Sequence, residues 1–231
     1  MDLMKKYVDI VYISNNNANH VKEIKKALSY KKHVICEKPI ALDPEDGKDL
    51  FYYARKQGCF LMEAQKSLFL PVMQDIYHII KTKQLGDLHQ VSLSSSFPNP
   101  TATWMHDPMQ GGVVYGSANY TIELLDYLIE PNTIHVSALG TKEENGTCNR
   151  VSISMIMDDV LINSTISMKG DTKKQAIFYF TNGYIEVPLY WKAREYRIIQ
   201  QDHIKRIIYP CRYEMKYEVL HINECISKGL L

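Results

Sequence analysis

No apolar run in the sequence is longer than a strand, so no segment is expected to cross a bilayer as a helix. The first residues lack the cationic-then-apolar layout of a secretory signal, and a cytoplasmic location is the expectation. Neither sign of charge is in excess: 27 Lys and Arg face 26 Asp and Glu, a formal net charge of +1. With no long basic or acidic stretch either, there is no electrostatic basis for nucleic acid or a membrane surface as partner. Cysteine is sparse and scattered. The five residues (Cys36, Cys59, Cys148, Cys211, Cys225) are an odd number without a C-x-x-C pair, which argues against a disulfide framework and against a zinc site. The eight histidines nowhere fall at His-x-x-x-His or His-Glu-x-x-His spacing, so no metal site is expected. Repeats and low-complexity linkers are missing as well.

What is present is an ordinary globular composition, 45% apolar and 23% charged over 231 residues, enough for one large domain or two modest ones. Its focal stretch is His33-Val34-Ile35-Cys36-Glu37-Lys38-Pro39. Val34 and Ile35 suit a buried strand, and Pro39 removes a donor and restricts the residue before it, so the strand should end there. Lys38 then sits at a strand's carboxyl end, the edge where open α/β sheets bind ligands. A bare Glu-Lys-Pro also fits a solvated surface turn.

Around this stretch the chain alternates. Residues 8–14 read as a strand running into the asparagine-rich turn Asn15-Asn16-Asn17-Ala18-Asn19-His20. Val21, Ile24, Ala27 and Leu28 recur at helical spacing and lead to the strand at 33–36, a right-handed parallel β-α-β unit. Asp43-Pro44-Glu45-Asp46 is a helix start with an N-cap, a first-position proline and first-turn acids, and Gly58 is the stop. Cys59–Glu63 is the next strand. The first 65 or so residues thus follow the pattern of a doubly wound parallel sheet.

Beyond a helix at 71–83, strand signals dominate: alternation from Val91 to Phe97, parts of 150–157 and 161–168 joined at Asp158-Asp159, a hairpin at Thr181-Asn182-Gly183, and strands at 195–200 and 205–209. Helices are expected at 117–129 and 214–228. This half reads as a mainly antiparallel sheet with helices on one face, an α+β domain.

The ordered set of motifs resembles the Gfo/Idh/MocA family of NAD(P)-dependent sugar and cyclitol oxidoreductases. Lys32–Pro39 is similar to the family's signature segment, and Asn17-Ala18-Asn19-His20 to its asparagine-x-x-histidine turn. Phe60–Ala64, Phe69-Leu70-Pro71, Leu85–Leu88, Asp107-Pro108, Gly111-Gly112 and Tyr120 resemble the branch that contains glucose-fructose oxidoreductase and dimeric dihydrodiol dehydrogenase. The resemblance implies α/β plus α+β architecture, with residues 1–66 a partial dinucleotide-binding (Rossmann) domain and 67–231 a substrate-binding and oligomerisation domain. It implies Lys38 and Tyr120 as catalytic residues: Lys38 hydrogen-bonding the reacting oxygen near the nicotinamide, Tyr120 the acid/base. Ser14, Asn15, Asn17, His20, Glu37, Lys38 and Pro39 would bind NAD or NADP, and Trp104, His106 and Tyr120 a sugar-like substrate. Hydride transfer at an alcohol carbon requires a proton to move on its oxygen, which a lysine and a tyrosine can share.

Each residue also has a plainer reading. Tyr120 fits a packing tyrosine, Asn17 and His20 fit a turn that caps a helix, Cys36 fits a buried structural thiol, and Trp104 and His106 fit positions inside or outside the pocket. Two departures from the family pattern stand out. The chain contains no G-x-G-x-x-G to cradle a pyrophosphate; compared with the family, it starts at the fourth strand and ends short of a further helical segment. The family's Gly-Gly-x-x-x-Asp-x-Gly segment reads Gly111-Gly112-Val113-Val114-Tyr115-Gly116-Ser117-Ala118, with Gly116 at the place of the aspartate. A sheet lacking its first strands should expose edge and apolar surface, and a homo-oligomer through the sheet of the second domain is expected. The competing reading is a non-catalytic remnant that folds and oligomerises without binding dinucleotide productively.

Overall fold

A run such as Val34-Ile35-Cys36 carries apolar side chains on both sides of the pleat, so it can rest only in a sheet covered on both faces. In the computed structural model, which describes residues 6–230, β2 (His33–Glu37) lies in that position. It is the middle strand of a parallel sheet, paired with β1 (Ile10–Ile13) and β3 (Leu61–Ala64) in the order β1-β2-β3. Val34 and Cys36 enter one core with Ile24, Ala27 and Leu28 of helix α1 (His20–Ser29) and Leu50 and Ala54 of α2 (Pro44–Gln57). Ile35, between them, enters the opposite core with Phe60, Ala64, Ile222 and Cys225.

The α2 boundaries follow from local chemistry. The Asp43 carboxylate accepts the Glu45 N–H at 2.8 Å, Pro44 opens the helix, and Gly58 closes it at φ 66°, a left-handed conformation that costs glycine little. Ile222 and Cys225 come from α5 (Met215–Ser227), which therefore belongs with the parallel sheet. The chain forms two compact units, one made of residues up to Gln65 together with Met215 onward, the other of Lys66–Glu214. The sequence reading carried the second domain through to residue 231; the structure instead assigns the last helix to the first unit, because its apolar positions cover the β2–β3 face.

The second unit is an open sheet of order β11-β10-β9-β8-β4-β7-β6-β5. Its strands are β4 (Leu88–Ser96), β5 (Ile134–Lys142), β6 (Cys148–Met157), β7 (Val160–Ser167), β8 (Gln175–Phe180), β9 (Gly183–Pro188), β10 (Glu195–Gln200) and β11 (His203–Ile208). Every neighbouring pair is antiparallel except β4 and β7, which run parallel. Burial alternates along β6, with Val151, Ile153, Met155 and Met157 inward and Arg150, Ser152, Ser154 and Ile156 outward. Helices α3 (Pro71–Lys81) and α4 (Asn119–Ile129) lie on the inward face: Asp75 of α3 accepts the Tyr196 hydroxyl at 2.9 Å, and Thr121 of α4 meets Ser164 of β7. The hairpin at Thr181-Asn182 and the turn at Asp158-Asp159 stand where the turn residues placed them.

Two elements had no counterpart in the sequence reading. Strand β5 is exposed along its whole length, so nothing in its burial imposes the alternation by which a strand is recognised. A π-helical stretch, Val114–Ala118, leads into α4. Such wide turns are rare and recur at functional sites.

Candidate active site

In the first unit the chemistry gathers at the carboxyl ends of β1, β2 and β3. Ser14 and Asn15 follow β1, are exposed, and line a cleft of about 330 Å³ with Tyr12, Glu23 and Lys26. Asn17 is buried in the short helical turn Asn17–Asn19 that precedes α1. His20, the first residue of α1, is fully buried. Its Nδ1 lies 2.7 Å from the Pro39 carbonyl oxygen and its Nε2 3.1 Å from that of Asn15, so one imidazole ties the turn after β1 to the turn after β2. The sequence suggested both a cofactor-cleft and a turn-closing role for His20, and its contacts are those of a turn-closing residue.

Glu37 ends β2 and accepts the Tyr12 hydroxyl at 2.5 Å. Burial and this carboxylate together raise the Tyr12 phenol above its ordinary range. Lys38 is half-buried and is joined to buried Pro39 by a cis peptide bond. Ile40 next donates its N–H to Oε1 of Glu63 at 2.7 Å. Burial raises the Glu63 carboxyl, opposed by the Ile40 N–H and by the positive charges of Lys38 and His20. Cys36 is fully buried, and desolvation, with Glu63 and Glu37 adding, pushes its thiol up to about 12, so it is a structural thiol rather than a nucleophile.

In the second unit Tyr120 stands half-buried in the first turn of α4. The next residue, Thr121, is fully buried and bonded to the Tyr190 hydroxyl at 2.9 Å, with Ser164 at 3.4 Å, so a buried polar network fixes the start of the helix that carries Tyr120. The glycines before it are steric requirements. A Cβ on Gly111 would lie 2.2 Å from the Trp104 carbonyl oxygen, and one on Gly112, at φ 71°, 2.5 Å from that of Cys148. A Cβ on Gly116 would lie 2.7 Å from Met105 Cε and 4.0 Å from Trp104 Cη2, so thioether and indole fill the space of the aspartate that the family pattern places there. His106 turns elsewhere: Nδ1 to Glu143 at 3.1 Å and Nε2 to the Pro100 carbonyl oxygen at 2.9 Å, while its own carbonyl accepts from Asn145 and Thr147. Of the three residues expected at the substrate, Trp104 lies near the turn that leads to Tyr120, and His106 is held by acceptors outside it. Among the described residues no cluster of His, Cys, Asp and Glu could hold a metal ion, and no helix is long and apolar enough to cross a membrane.

Sequence reasoning did not select Glu63 or Thr121. The only available signal for Glu63 was a carboxylate at the end of an otherwise apolar strand. Thr121 carried none, because its partners lie on distant strands.

A Rossmann-like parallel sheet with a lysine at its carboxyl edge, joined in one chain to a mainly antiparallel α+β sheet, defines a two-unit α/β protein. Residues 1–65 match the NAD-binding Rossmann-fold domain of the Gfo/Idh/MocA oxidoreductases, and residues 73–186 match the C-terminal domain of the same family. The chain belongs to the Gfo/Idh/MocA family. It is 26% identical over 239 residues to trans-1,2-dihydrobenzene-1,2-diol dehydrogenase of Mus musculus, covering 96% of this chain and 70% of that one. The Xenopus laevis enzyme of the same name is 25% identical over 238 residues, with 96% and 71% covered. Among solved structures, the 3-ketoreductase KijD10 of Actinomadura kijaniata in complex with NADP and TDP-benzene superposes with a TM-score of 0.87 at 20% identity, covering 99% of this chain and 73% of that one. The aldose-aldose oxidoreductase of Caulobacter crescentus, complexed with glycerol, gives 0.87 at 19% identity, covering 99% and 72%. At these identities the likeness to the two structures is one of fold.

Proposed function

We propose that the chain is an NAD(P)-dependent oxidoreductase acting on a small hydroxy or carbonyl compound of the sugar, polyol or dihydrodiol kind. The observation that carries this reading is the Glu37-Lys38-Pro39 turn, which leaves a lysine at the carboxyl edge of a parallel sheet with its backbone held by His20 and by Glu63. The residues fit one end of a dinucleotide: Ser14, Asn15 and Lys38 offer hydrogen-bonding groups at that edge, whereas the chain has no glycine-rich loop for the pyrophosphate. When bound, the nicotinamide supplies hydride acceptance and donation. Lys38 would hydrogen-bond the substrate oxygen. Tyr120 would take the hydroxyl proton as the alcohol is oxidised and return it in the reverse direction.

The surroundings of Tyr120 support a substrate with few hydroxyls. One turn before it, Met105 and Trp104 close off Gly116, so that place presents thioether and indole where a carboxylate would bind a polyol hydroxyl. This suits the dihydrodiol kind better than a fully hydroxylated sugar.

We further propose a homo-oligomer formed through the open face of the eight-stranded sheet, where Ile156 and Leu161 are exposed and β5 is bare along its length. Light scattering that returns a monomer would remove this part. Cytoplasmic residence belongs to the same reading and is supported by the five unpaired thiols.

A second reading is a family member that folds and oligomerises without binding dinucleotide. Fluorescence titration with NADH and NADPH separates the two. Saturation in the micromolar range supports the oxidoreductase; absence of binding at millimolar cofactor overturns it. With a bound cofactor, Lys38→Ala should abolish turnover of a trans-dihydrodiol, and unchanged turnover would remove the role given to Lys38.

A further inference from the structure

Glu63 occupies a position that the packing of its sheet does not call for. It pairs in register with Cys36 in parallel strands, and Leu61, two residues earlier on the same strand face, enters the apolar core shared with α1 and α2. A carboxylate on that face pays a desolvation cost that an apolar residue would avoid. Its compensation comes from the Lys38 turn and from His20 of α1. Oε1 takes the Ile40 N–H at 2.7 Å, across 23 residues of sequence, and the positive charges of Lys38 and His20 act on it. His20 grips the same turn from the other side through the Pro39 carbonyl. Lys38 therefore lies between a strand end and two successive backbone clamps. The titratable groups that act on this carboxylate are Lys38 and Cys36 from β2 and its end, and His20 from α1.

We propose that Glu63 is the positioning residue of Lys38: its carboxylate fixes the backbone just past Pro39 and, as a half-buried negative charge, attracts the Lys38 ammonium. An isosteric neutral side chain could still accept the Ile40 N–H, so geometry and charge are separable. The inference rests on the role proposed above for Lys38 only in what the positioning is for. The coupling between the two side chains is measured without cofactor or turnover.

The test uses the full chain with 13C-labelled lysine, the Lys38 signal being assigned through Lys38→Arg. In Glu63→Gln the Ile40 N–H keeps an acceptor while the charge is lost, and the Lys38 deprotonation constant should rise roughly tenfold. Glu63→Leu should give the same shift and in addition speed hydrogen exchange at the Ile40 amide by at least about tenfold, because its acceptor is gone. The reciprocal variant Lys38→Met, at a half-buried position, should raise the Glu63 carboxyl by the same factor, since coupling is mutual. It provides the measurement if a Glu63 variant does not fold. A Lys38 titration unmoved within threefold in Glu63→Gln, or a Glu63 carboxyl unmoved in Lys38→Met, overturns the proposal. Loss of the oxidoreductase reading would instead show as absent cofactor binding with this coupling intact.

Discussion

The two sheets of this chain differ in how they are covered, and the candidate site residues divide along the same line. The parallel sheet is buried on both faces, by α1 and α2 on one side and by α5 on the other, so what it can present is its carboxyl edge. There Ser14, Asn15, Lys38 and the Glu63 clamp gather within a few residues of three strand ends. The eight-stranded sheet is buried on one face only. It presents a helix-borne tyrosine from the covered side and a broad exposed face on the other. A sheet covered twice concentrates chemistry at an edge, and a sheet covered once leaves a surface for another molecule.

Substitutions on the two faces of the larger sheet should separate most widely. Phe178 is fully buried in β8, and Phe178→Ala should cost about 3–5 kcal/mol by chemical denaturation, through lost transfer energy and the cavity left behind. A cost below about 1 kcal/mol would mean that the covered face is not a packed core. Thr121→Val removes the hydroxyl that meets Tyr190, and leaving a buried phenol without this partner should cost about 1–3 kcal/mol. If the network also orients Tyr120, turnover should fall further than stability alone explains.

In the parallel unit, Asp43→Ala should cost about 1 kcal/mol as α2 loses its cap, and retention of full stability would show that packing alone holds this helix. Leu161→Ala on the open face should change stability by no more than about 0.5 kcal/mol, yet weaken self-association if that face is an interface. Stability and association thereby report on opposite faces of one sheet.

The smallest effect concerns the half-buried pair His106 and Glu143. The Pro100 carbonyl, then Glu143, raises the His106 imidazole, while the hydrogen bond from His106 lowers the Glu143 carboxyl. A raised histidine contributes fully below its unfolded value, about pH 6.5, and loses its contribution as pH rises through the folded value. A lowered carboxylate contributes fully above about pH 4.5 and loses it as pH falls through the folded value. The difference in Tm between the parent and His106→Gln should therefore be widest between about pH 4.5 and 6.5 and shrink on either side. A difference that grows toward pH 8 would contradict the assignment.

Much of the architecture could be read from residue order. Asp43, Pro44 and Gly58 bound α2, Thr181-Asn182-Gly183 turns the β8–β9 hairpin, and Pro39 stops β2, each through backbone conformations that neighbouring residues impose. The position of Lys38 at a strand end was legible for the same reason. Strand β5 was not, because an exposed edge strand carries no burial pattern. The supports of the site escaped as well: Glu63 meets Ile40 across 23 residues and Thr121 meets Tyr190 across 69, distances over which sequence spacing says nothing about which groups touch.

By itself, then, the sequence determined most of the elements, their ends and the lysine they deliver, because those depend on interactions within a turn or a helix. Tertiary structure alone decided that the final helix covers the parallel sheet, that β4 pairs in parallel with β7 within an otherwise antiparallel sheet, and that His20 and Glu63 converge on the Lys38 turn. These outcomes depend on which distant surfaces bury one another, a choice made by the whole core at once.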